Sequence, residues 1–159
     1  TISAGGKMPQ GSLTVMRKSG PESLSTNELF AGKKVVLISV PGAFTPTCSM
    51  SHLPGFVDNA EKIMSKGVDT IACMAVNDVF VMKAWGADQK VGDKVLMLAD
   101  GNADYTKALG LELDATNFGM GVRGQRFAII VDDGVATHVA VEEPASFDVS
   151  RAEAVLEAL

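Results

Sequence analysis

The sequence predicts an α/β fold with a mixed central sheet and helices on both of its faces. Three apolar runs lack polar alternation, and each is followed by a segment with helical spacing; they are residues 35–40, 68–76 and 95–99. Such runs are typical of parallel strands that are buried on both faces and joined by right-handed crossovers. Further along, Asp132-Asp133-Gly134 between the runs 127–131 and 135–142 predicts an antiparallel hairpin.

The other elements follow from weaker signals. Residues 13–16 alternate like a short edge strand, and residues 25–30 have the pattern of a capped helical turn. The remaining predicted helices cover residues 46–66, 78–89, 103–109 and 147–159, the first with a bend or break at Pro54-Gly55. Residues 1–12 are expected to be a loose start, and the glycine-rich residues 111–125 a loop. No linker or repeat divides the chain, so residues 1–159 are expected to form a single domain.

Composition and charge exclude several classes of protein. Of the 159 residues, 47% are hydrophobic and 21% are charged, which is typical of a globular chain. No apolar run approaches the ~20 residues that span a bilayer. The net charge of −5 argues against nucleic acid or an anionic membrane as a partner. The sequence has no Cys-x-x-Cys pair and no metal-ligand cluster, and Gly119-x-Gly121-x-x-Gly124 precedes a strand, so neither a metal nor a dinucleotide cofactor is expected.

Cysteine content bears on the compartment. Two cysteines are too few for a disulfide scaffold, and no signal peptide is recognisable. We therefore expect a reducing compartment, cytoplasmic by default. The sequence starts at Thr1, so an organelle stroma or matrix is the expectation if a transit peptide has been removed.

The most informative stretch is Pro41-Gly42-Ala43-Phe44-Thr45-Pro46-Thr47-Cys48-Ser49, between the first apolar strand and the first long helix. Pro41 ends the strand because it lacks an N–H group. Thr45 is suited to cap the helix, and Pro46 to occupy its first position. Cys48 is then the third helical residue, where unpaired N–H groups and the positive end of the helix favour a thiolate over a thiol. The sequence therefore predicts a nucleophilic cysteine.

Pro41, Thr45 and Cys48 fit the pattern Pro-x-x-x-Thr-x-x-Cys, so the stretch resembles the active site of the peroxiredoxins, with Pro41 as a supporting residue. The longer string resembles their type II branch, also called type 5. The resemblance implies the thioredoxin fold, which the order of elements also favours. It implies that Cys48 attacks hydrogen peroxide or an alkyl hydroperoxide, becomes a sulfenic acid and is regenerated through a disulfide. That chemistry needs no metal, haem or flavin.

A thiolate that attacks a peroxide needs donors for the peroxide oxygens and a positive charge nearby. The Thr45 hydroxyl can meet the first need. Arg123 and Arg126 both precede the strand 127–131, and by position alone they are equal candidates for the second. In type II peroxiredoxins the active-site arginine directly precedes an aromatic residue that opens this strand. That resemblance favours Arg126, before Phe127, and leaves Arg123 as a supporting or surface charge.

Cys73 lies inside the second apolar run, where a cysteine is most often an inert core residue. Some plant type II peroxiredoxins have a second cysteine at this spacing, proposed as the resolving partner. This chain has no third cysteine, so reduction comes either from Cys73 after local unfolding or from an external thiol. We favour the external route, with glutathione and glutaredoxin, or thioredoxin, as reductant. Because Cys73 is placed below the strand ends, we expect it to be unbonded to Cys48 in the reduced protein.

The sequence leaves three other functions open. His52, one turn beyond Cys48, is expected at the helix surface, with modulation of the thiolate as the alternative; a Cys–His hydrolase would use it as a base. A thioredoxin-fold thiol–disulfide oxidoreductase and a redox-sensing interaction module without turnover are the other two. Type II peroxiredoxins commonly pair through the active-site end, so a homodimer is expected, with Phe44, Phe80 and Trp85 as candidates for its interface. For Phe80 and Trp85, packing into the core of the domain is the alternative.

Overall fold

The computed structural model describes residues 1–159. The strands are β1 (Ser12–Arg17), β2 (Gly20–Ser25), β3 (Lys34–Ser39), β4 (Thr70–Ala75), β5 (Leu96–Ala99), β6 (Glu112–Ala115), β7 (Gly121–Gly124), β8 (Phe127–Asp132) and β9 (Val135–Val141). The α-helices are α1 (Thr26–Phe30), α2 (Leu53–Asp58), α3 (Ala60–Ser65), α4 (Val79–Asp88), α5 (Asp104–Leu109) and α6 (Ala152–Ala158). A π-helical turn, Cys48–His52, directly precedes α2, and a 3-10 turn covers Thr116–Phe118.

Seven strands form one mixed sheet in the order β2-β1-β5-β4-β3-β8-β9. Its centre is parallel, because β3 pairs with β4 and β4 pairs with β5 in the same direction. The antiparallel hairpins β1/β2 and β8/β9 extend it on either side. β6 and β7 form a separate two-stranded sheet. The predicted thioredoxin-like α/β fold with a mixed sheet is therefore confirmed.

Alternate residues of β3 face opposite sides of the sheet, and both sides are covered. Val36 and Ile38 belong to a core with α2, α3, α4 and α6, whereas Val35 and Leu37 belong to a second core with α1 and α5. All four side chains are fully buried. This double burial explains why the run shows no polar alternation.

The structure has ordered segments that the sequence did not predict. The expected loop 111–125 contains β6 and β7, whose four-residue, mostly exposed strands carry too few apolar residues for a period-2 signal. The expected loose start is held against β9, since Gly5 N–H donates to the Ala136 carbonyl and Met8 N–H to the Gly134 carbonyl. The strand β2 was not predicted, because only one of its residues, Leu24, is buried.

The helix predicted over residues 46–66 is divided in two places. The π-helical turn is closed by the Leu53 N–H, which donates to the Cys48 carbonyl five residues back. Pro54 follows in the first turn of α2, where its missing N–H does no harm. A break at Asn59 then separates α2 from α3. The predicted bend or break at Pro54-Gly55 is wrong, because both residues lie inside α2 and the irregular positions flank that helix on either side. None of the helices has the length and apolar character that crossing a bilayer requires.

Candidate active site

The topology of the sheet brings Arg126 to Cys48. Ser39, the last residue of β3, pairs with Phe127, the first residue of antiparallel β8. Arg126 therefore lies just beyond the C-terminal end of β3. From that same end the chain continues through Pro41 to the helical segment that carries Cys48. Arg126 Nη2 donates a hydrogen bond to Cys48 Sγ at 3.1 Å. A permanent positive charge and a donor thus meet the sulfur.

Cys48 is the third residue of a helical segment that starts at Pro46, as the sequence predicts. Its side chain is fully buried and unbonded. The residue also opens the π-helical turn, so its carbonyl accepts from Leu53 in the wider π-type ring. The sulfur is therefore enclosed between the start of the helix and the arginine.

Thr45 does not cap the helix through its side chain. Its hydroxyl donates to the Gly42 carbonyl at 2.7 Å instead, because the loop folds back so that the two residues face each other. The loop apex, Phe44, has a left-handed φ of 65° and an exposed side chain. Such a conformation is unfavourable for a bulky residue and is typical of loops that the surrounding structure holds in place. Thr45 itself is half-buried and keeps its oxygen lone pairs free to accept.

Arg123 has a different position from Arg126. Its Nε donates to the Met120 carbonyl at 2.9 Å. A Cβ added at Gly42 would come within 3.3 Å of Arg123 Nη1, so this guanidinium packs against the backbone of the loop. Of the two candidate arginines, the structure places only Arg126 in hydrogen-bond contact with the sulfur. Pro41, half-buried, follows β3 directly after Val40.

Cys73 lies in β4 opposite Ile38 and is fully buried. It faces the same core as Cys48, and both cysteines are free, which agrees with the expectation that they are unbonded. Burial raises the pKa of the Cys73 thiol far above its ordinary range. The nearby Cys48 adds to this increase, and Arg126 opposes it. Burial therefore favours the protonated form of the Cys73 thiol in the folded protein.

The expectation of a surface position for His52 is wrong, because its side chain is fully buried. Arg126 Nη1 lies 2.9 Å from His52 Nδ1, and His52 Nε2 lies 3.0 Å from the Ser150 carbonyl oxygen. A guanidinium can only donate and a carbonyl can only accept, so Nδ1 accepts and Nε2 carries the proton. With both ring nitrogens engaged, no nitrogen is free to take a proton from Cys48, which argues against the Cys–His hydrolase.

Glu142 fixes the segment that presents the Ser150 carbonyl. Its Oε2 accepts from the Asp148 N–H at 2.7 Å, the Ser150 N–H at 2.9 Å and the Ser150 hydroxyl at 2.6 Å. Burial alone would raise the pKa of Glu142, but these hydrogen bonds together hold it below its ordinary value. Because these contacts hold residues 148–150 against Glu142, α6 begins at Ala152 and not at residue 147, where the sequence predicts it.

Two further side chains support the loop and the helix start, and neither role was predicted. Asn77 Oδ1 accepts from the Ala43 N–H at 2.9 Å, while the cap of α4 is Asp78. Trp85 Nε1 donates to the Ser49 hydroxyl at 3.0 Å. Trp85 is fully buried, so its assignment to a dimer interface is wrong. The sequence of α4 carries no signal for this burial, because apolar residues occupy nearly all sides of the helix.

The buried histidine makes stability pH-dependent. Burial, and secondly Arg126, lower the pKa of His52 from 6.5 to about 3, against the opposing effects of the Ser150 carbonyl and Glu142. Between pH 6.5 and 3 the unfolded chain therefore binds a proton that the folded chain does not, so the free energy of unfolding falls as pH drops. We expect a loss of about 2 kcal/mol between pH 7 and pH 5 from this group.

Urea unfolding at the two pH values measures this loss in the wild type, in His52→Asn and in His138→Asn. His138, half-buried on β9 and without a side-chain hydrogen bond, is the matched control. The extra pH sensitivity should disappear only in His52→Asn. Equal slopes in all three proteins would contradict the assignment. Glu142 does not interfere, because its lowered pKa affects stability only below its ordinary value of 4.5.

Comparison with known proteins identifies the family. The Redoxin family model matches residues 3–156. Peroxiredoxin-2B of Arabidopsis thaliana is 48% identical over 99% of this chain and 98% of its own length, and the chloroplastic Peroxiredoxin-2E of the same plant is 47% identical over 100% and 70%. The crystal structure of reduced Prx3 in complex with H2O2 from Vibrio vulnificus superposes with a TM-score of 0.96 at 54% identity over 99% of each chain. The chain therefore belongs to the type II peroxiredoxins of the Redoxin family, and it is a thiol peroxidase.

Proposed function

We propose that Cys48 is the residue that reacts with peroxide and that Arg126 and Thr45 assist it. The observation that carries this proposal is the hydrogen bond from Arg126 Nη2 to the buried sulfur. A charge-assisted donor at this distance favours the thiolate, which is the nucleophilic form of cysteine. The start of the helix contributes in the same direction.

The reaction balances without a cofactor. The Cys48 thiolate attacks one peroxide oxygen, a sulfur–oxygen bond forms, and the oxygen–oxygen bond breaks. The sulfur is oxidised to a sulfenic acid, and the other oxygen leaves as hydroxide or alkoxide and takes up a proton. In this proposal Arg126 donates to one peroxide oxygen. Thr45 Oγ1, whose own proton goes to the Gly42 carbonyl, accepts from the O–H of the peroxide, and the two contacts hold the peroxide in line with the sulfur.

Hydrogen peroxide and alkyl hydroperoxides are the proposed substrates. Membership of the peroxiredoxin family supports peroxides in general as substrates, and the Vibrio vulnificus relative has been crystallised with H2O2. The sulfur is fully buried, which favours small peroxides over bulky ones.

An external thiol is the proposed reductant: glutathione with glutaredoxin, or thioredoxin. The buried, protonated state of Cys73 supports this, because an attacking thiol must be ionised to react with a sulfenic acid or a disulfide. Resolution by Cys73 would require the helix start to unfold first. A reducing compartment suits either reductant, and the chloroplastic relative makes an organelle interior a candidate beside the cytoplasm.

Consumption of peroxide by the reduced wild-type protein tests the proposed function. Hydrogen peroxide and an alkyl hydroperoxide are each supplied with glutathione and glutaredoxin, with thioredoxin and its reductase, or with no reductant. We expect continuous turnover of peroxide with at least one of the two thiol systems. Without a reductant, we expect the protein to consume one equivalent of peroxide. A redox-sensing module would consume one equivalent in every case, and a thiol–disulfide oxidoreductase would consume none.

We propose in addition that the protein is a homodimer that pairs through the active-site end. Phe44 and Phe80 remain candidates for its interface, since their side chains are 52% and 65% exposed. Large exposed aromatic groups near one end of a protein are typical of interaction surfaces. Light scattering at micromolar concentration should give twice the mass of the 16.6 kDa chain. Phe80→Asp should shift the protein towards the monomer; a wild-type monomer would contradict the proposal.

A further inference from the structure

We propose that His52 is a positioning residue for the peroxidase reaction: its neutral ring accepts a hydrogen bond from Arg126 and holds the guanidinium against the Cys48 sulfur. This inference rests on the proposed role of Cys48. It assigns a function to a buried side chain that the Pro-x-x-x-Thr-x-x-Cys pattern does not include.

The first step of the argument is the geometry of the guanidinium. Arg126 Nη2 donates to Cys48 Sγ at 3.1 Å, and Nη1 donates to His52 Nδ1 at 2.9 Å. Because the guanidinium is planar and rigid, two donors fixed at two points determine its orientation. The ring of Phe147, with its centroid 5.9 Å from Arg126 Cζ, covers the group without fixing its rotation.

The second step concerns charge. Arg126 has no carboxylate partner, since the ion pairs of the structure are Arg17–Glu22 and Arg151–Glu153. A carboxylate in the place of His52 would anchor the guanidinium but would also offset its positive charge. A neutral imidazole anchors it and leaves the charge available to the sulfur.

The third step is the tautomer. Only the ring with its proton on Nε2 can accept at Nδ1, and the Ser150 carbonyl selects that form by accepting from Nε2 at 3.0 Å. Glu142 holds Ser150 in turn through its N–H and hydroxyl. Edge-on packing of Phe147 at 5.2 Å fixes the plane of the ring. The orientation of Arg126 is thus set by a chain of contacts that begins at Glu142.

The test compares His52→Leu, which removes the acceptor, with His52→Asn, whose side-chain oxygen can take the place of Nδ1. The second-order rate of oxidation of the reduced protein by hydrogen peroxide is followed by fluorescence of Trp85, the only tryptophan, which contacts Ser49 beside Cys48. We expect His52→Leu to be slower by about 10-fold to 100-fold, as for other misplaced catalytic groups. His52→Asn should recover most of the loss, and His138→Leu should equal the wild type.

A second readout separates positioning from folding. The rate at which iodoacetamide alkylates Cys48 at pH 7 should fall in His52→Leu and return towards the wild-type rate in His52→Asn. If His52→Leu does not fold, His52→Gln replaces it, because its polar atoms reach the Nε2 position; Gln should then be slower than Asn.

Two results would overturn the inference. One is an oxidation rate of His52→Leu within twofold of the wild type; the other is an oxidation rate of His52→Asn as low as that of His52→Leu, or of His52→Gln where that variant replaces it. Cys48→Ser is run beside them. Retained turnover in Cys48→Ser would sink the proposed function itself, whereas an inactive Cys48→Ser with a fully active His52→Leu removes only the role of His52.

Discussion

Replacement of Cys48 by serine is expected to abolish peroxide reduction, with a loss of at least about 10⁴-fold in the rate of peroxide consumption. Serine keeps the size of the side chain, so the fold and the contact with Arg126 should persist. Its hydroxyl, however, stays protonated at neutral pH and is a poor nucleophile. Consumption of peroxide with glutathione and glutaredoxin measures the effect, and full turnover by Cys48→Ser would contradict the mechanism.

Cys73→Ser is the matched control for this experiment. Both cysteines are fully buried and free, but only Cys48 contacts Arg126. We expect Cys73→Ser to keep a substantial part of its turnover with glutathione and glutaredoxin, because an external thiol replaces any resolving partner. If Cys73→Ser is oxidised normally by peroxide but cannot be turned over by any external thiol, Cys73 is the resolving residue and the proposed reductant route is wrong.

Arg126→Ala is expected to have the second-largest effect, with peroxide oxidation slowed by about 100-fold. The variant loses the charge-assisted hydrogen bond to Cys48 Sγ, and with it the group placed to hold a peroxide oxygen. Loss of a positive charge beside the sulfur also disfavours the thiolate. The rate at which iodoacetamide alkylates Cys48 at pH 7 should therefore be lower in Arg126→Ala than in the wild type.

Arg123→Ala provides the comparison. It removes an equal charge nearby, but Arg123 donates to the Met120 carbonyl and packs against Gly42 without touching the sulfur. Its effect on both measurements should be smaller. A larger loss of the alkylation rate in Arg123→Ala would reverse the assignment. Arg126→Lys should fall between, since a lysine keeps the charge but cannot reach Cys48 and His52 with a rigid fork.

The fold and the centre of the site were predictable because their signals are local. The run 35–40 has no polar alternation, which by itself indicates a strand buried on both faces. Pro41, Thr45 and Cys48 lie within eight positions of sequence. The choice of Arg126 over Arg123 was possible only through the family resemblance. Register explains it physically: the pairing of Ser39 with Phe127 carries Arg126 to the edge of the sheet next to the helix start.

The support around the site was not predictable, because it depends on contacts between distant parts of the chain. His52 accepts from a residue 74 positions away and donates to one 98 positions away. By itself, a histidine one turn beyond Cys48 is indistinguishable from a surface residue. The contact of Thr45 was not predictable either, although it is local. The preference of threonine for helix caps does not reveal that its hydroxyl donates to the Gly42 carbonyl. For Trp85, the sequence of α4 did not distinguish a position in an interface from one in the core.

The complete burial of Cys48 gives the two halves of the catalytic cycle different steric demands. A peroxide brings two oxygens to the sulfur, whereas a reducing thiol must bring its own sulfur to within ~2.05 Å, with a peptide behind it. Because the folded protein leaves no surface of the sulfur exposed, we expect reduction in the proposed cycle to require transient opening of the turn Cys48–His52. The Leu53 N–H to Cys48 carbonyl bond and the Trp85–Ser49 contact hold this turn closed. The frequency of that opening, measurable by amide hydrogen exchange, then sets how long each oxidised molecule persists and remains exposed to a second peroxide.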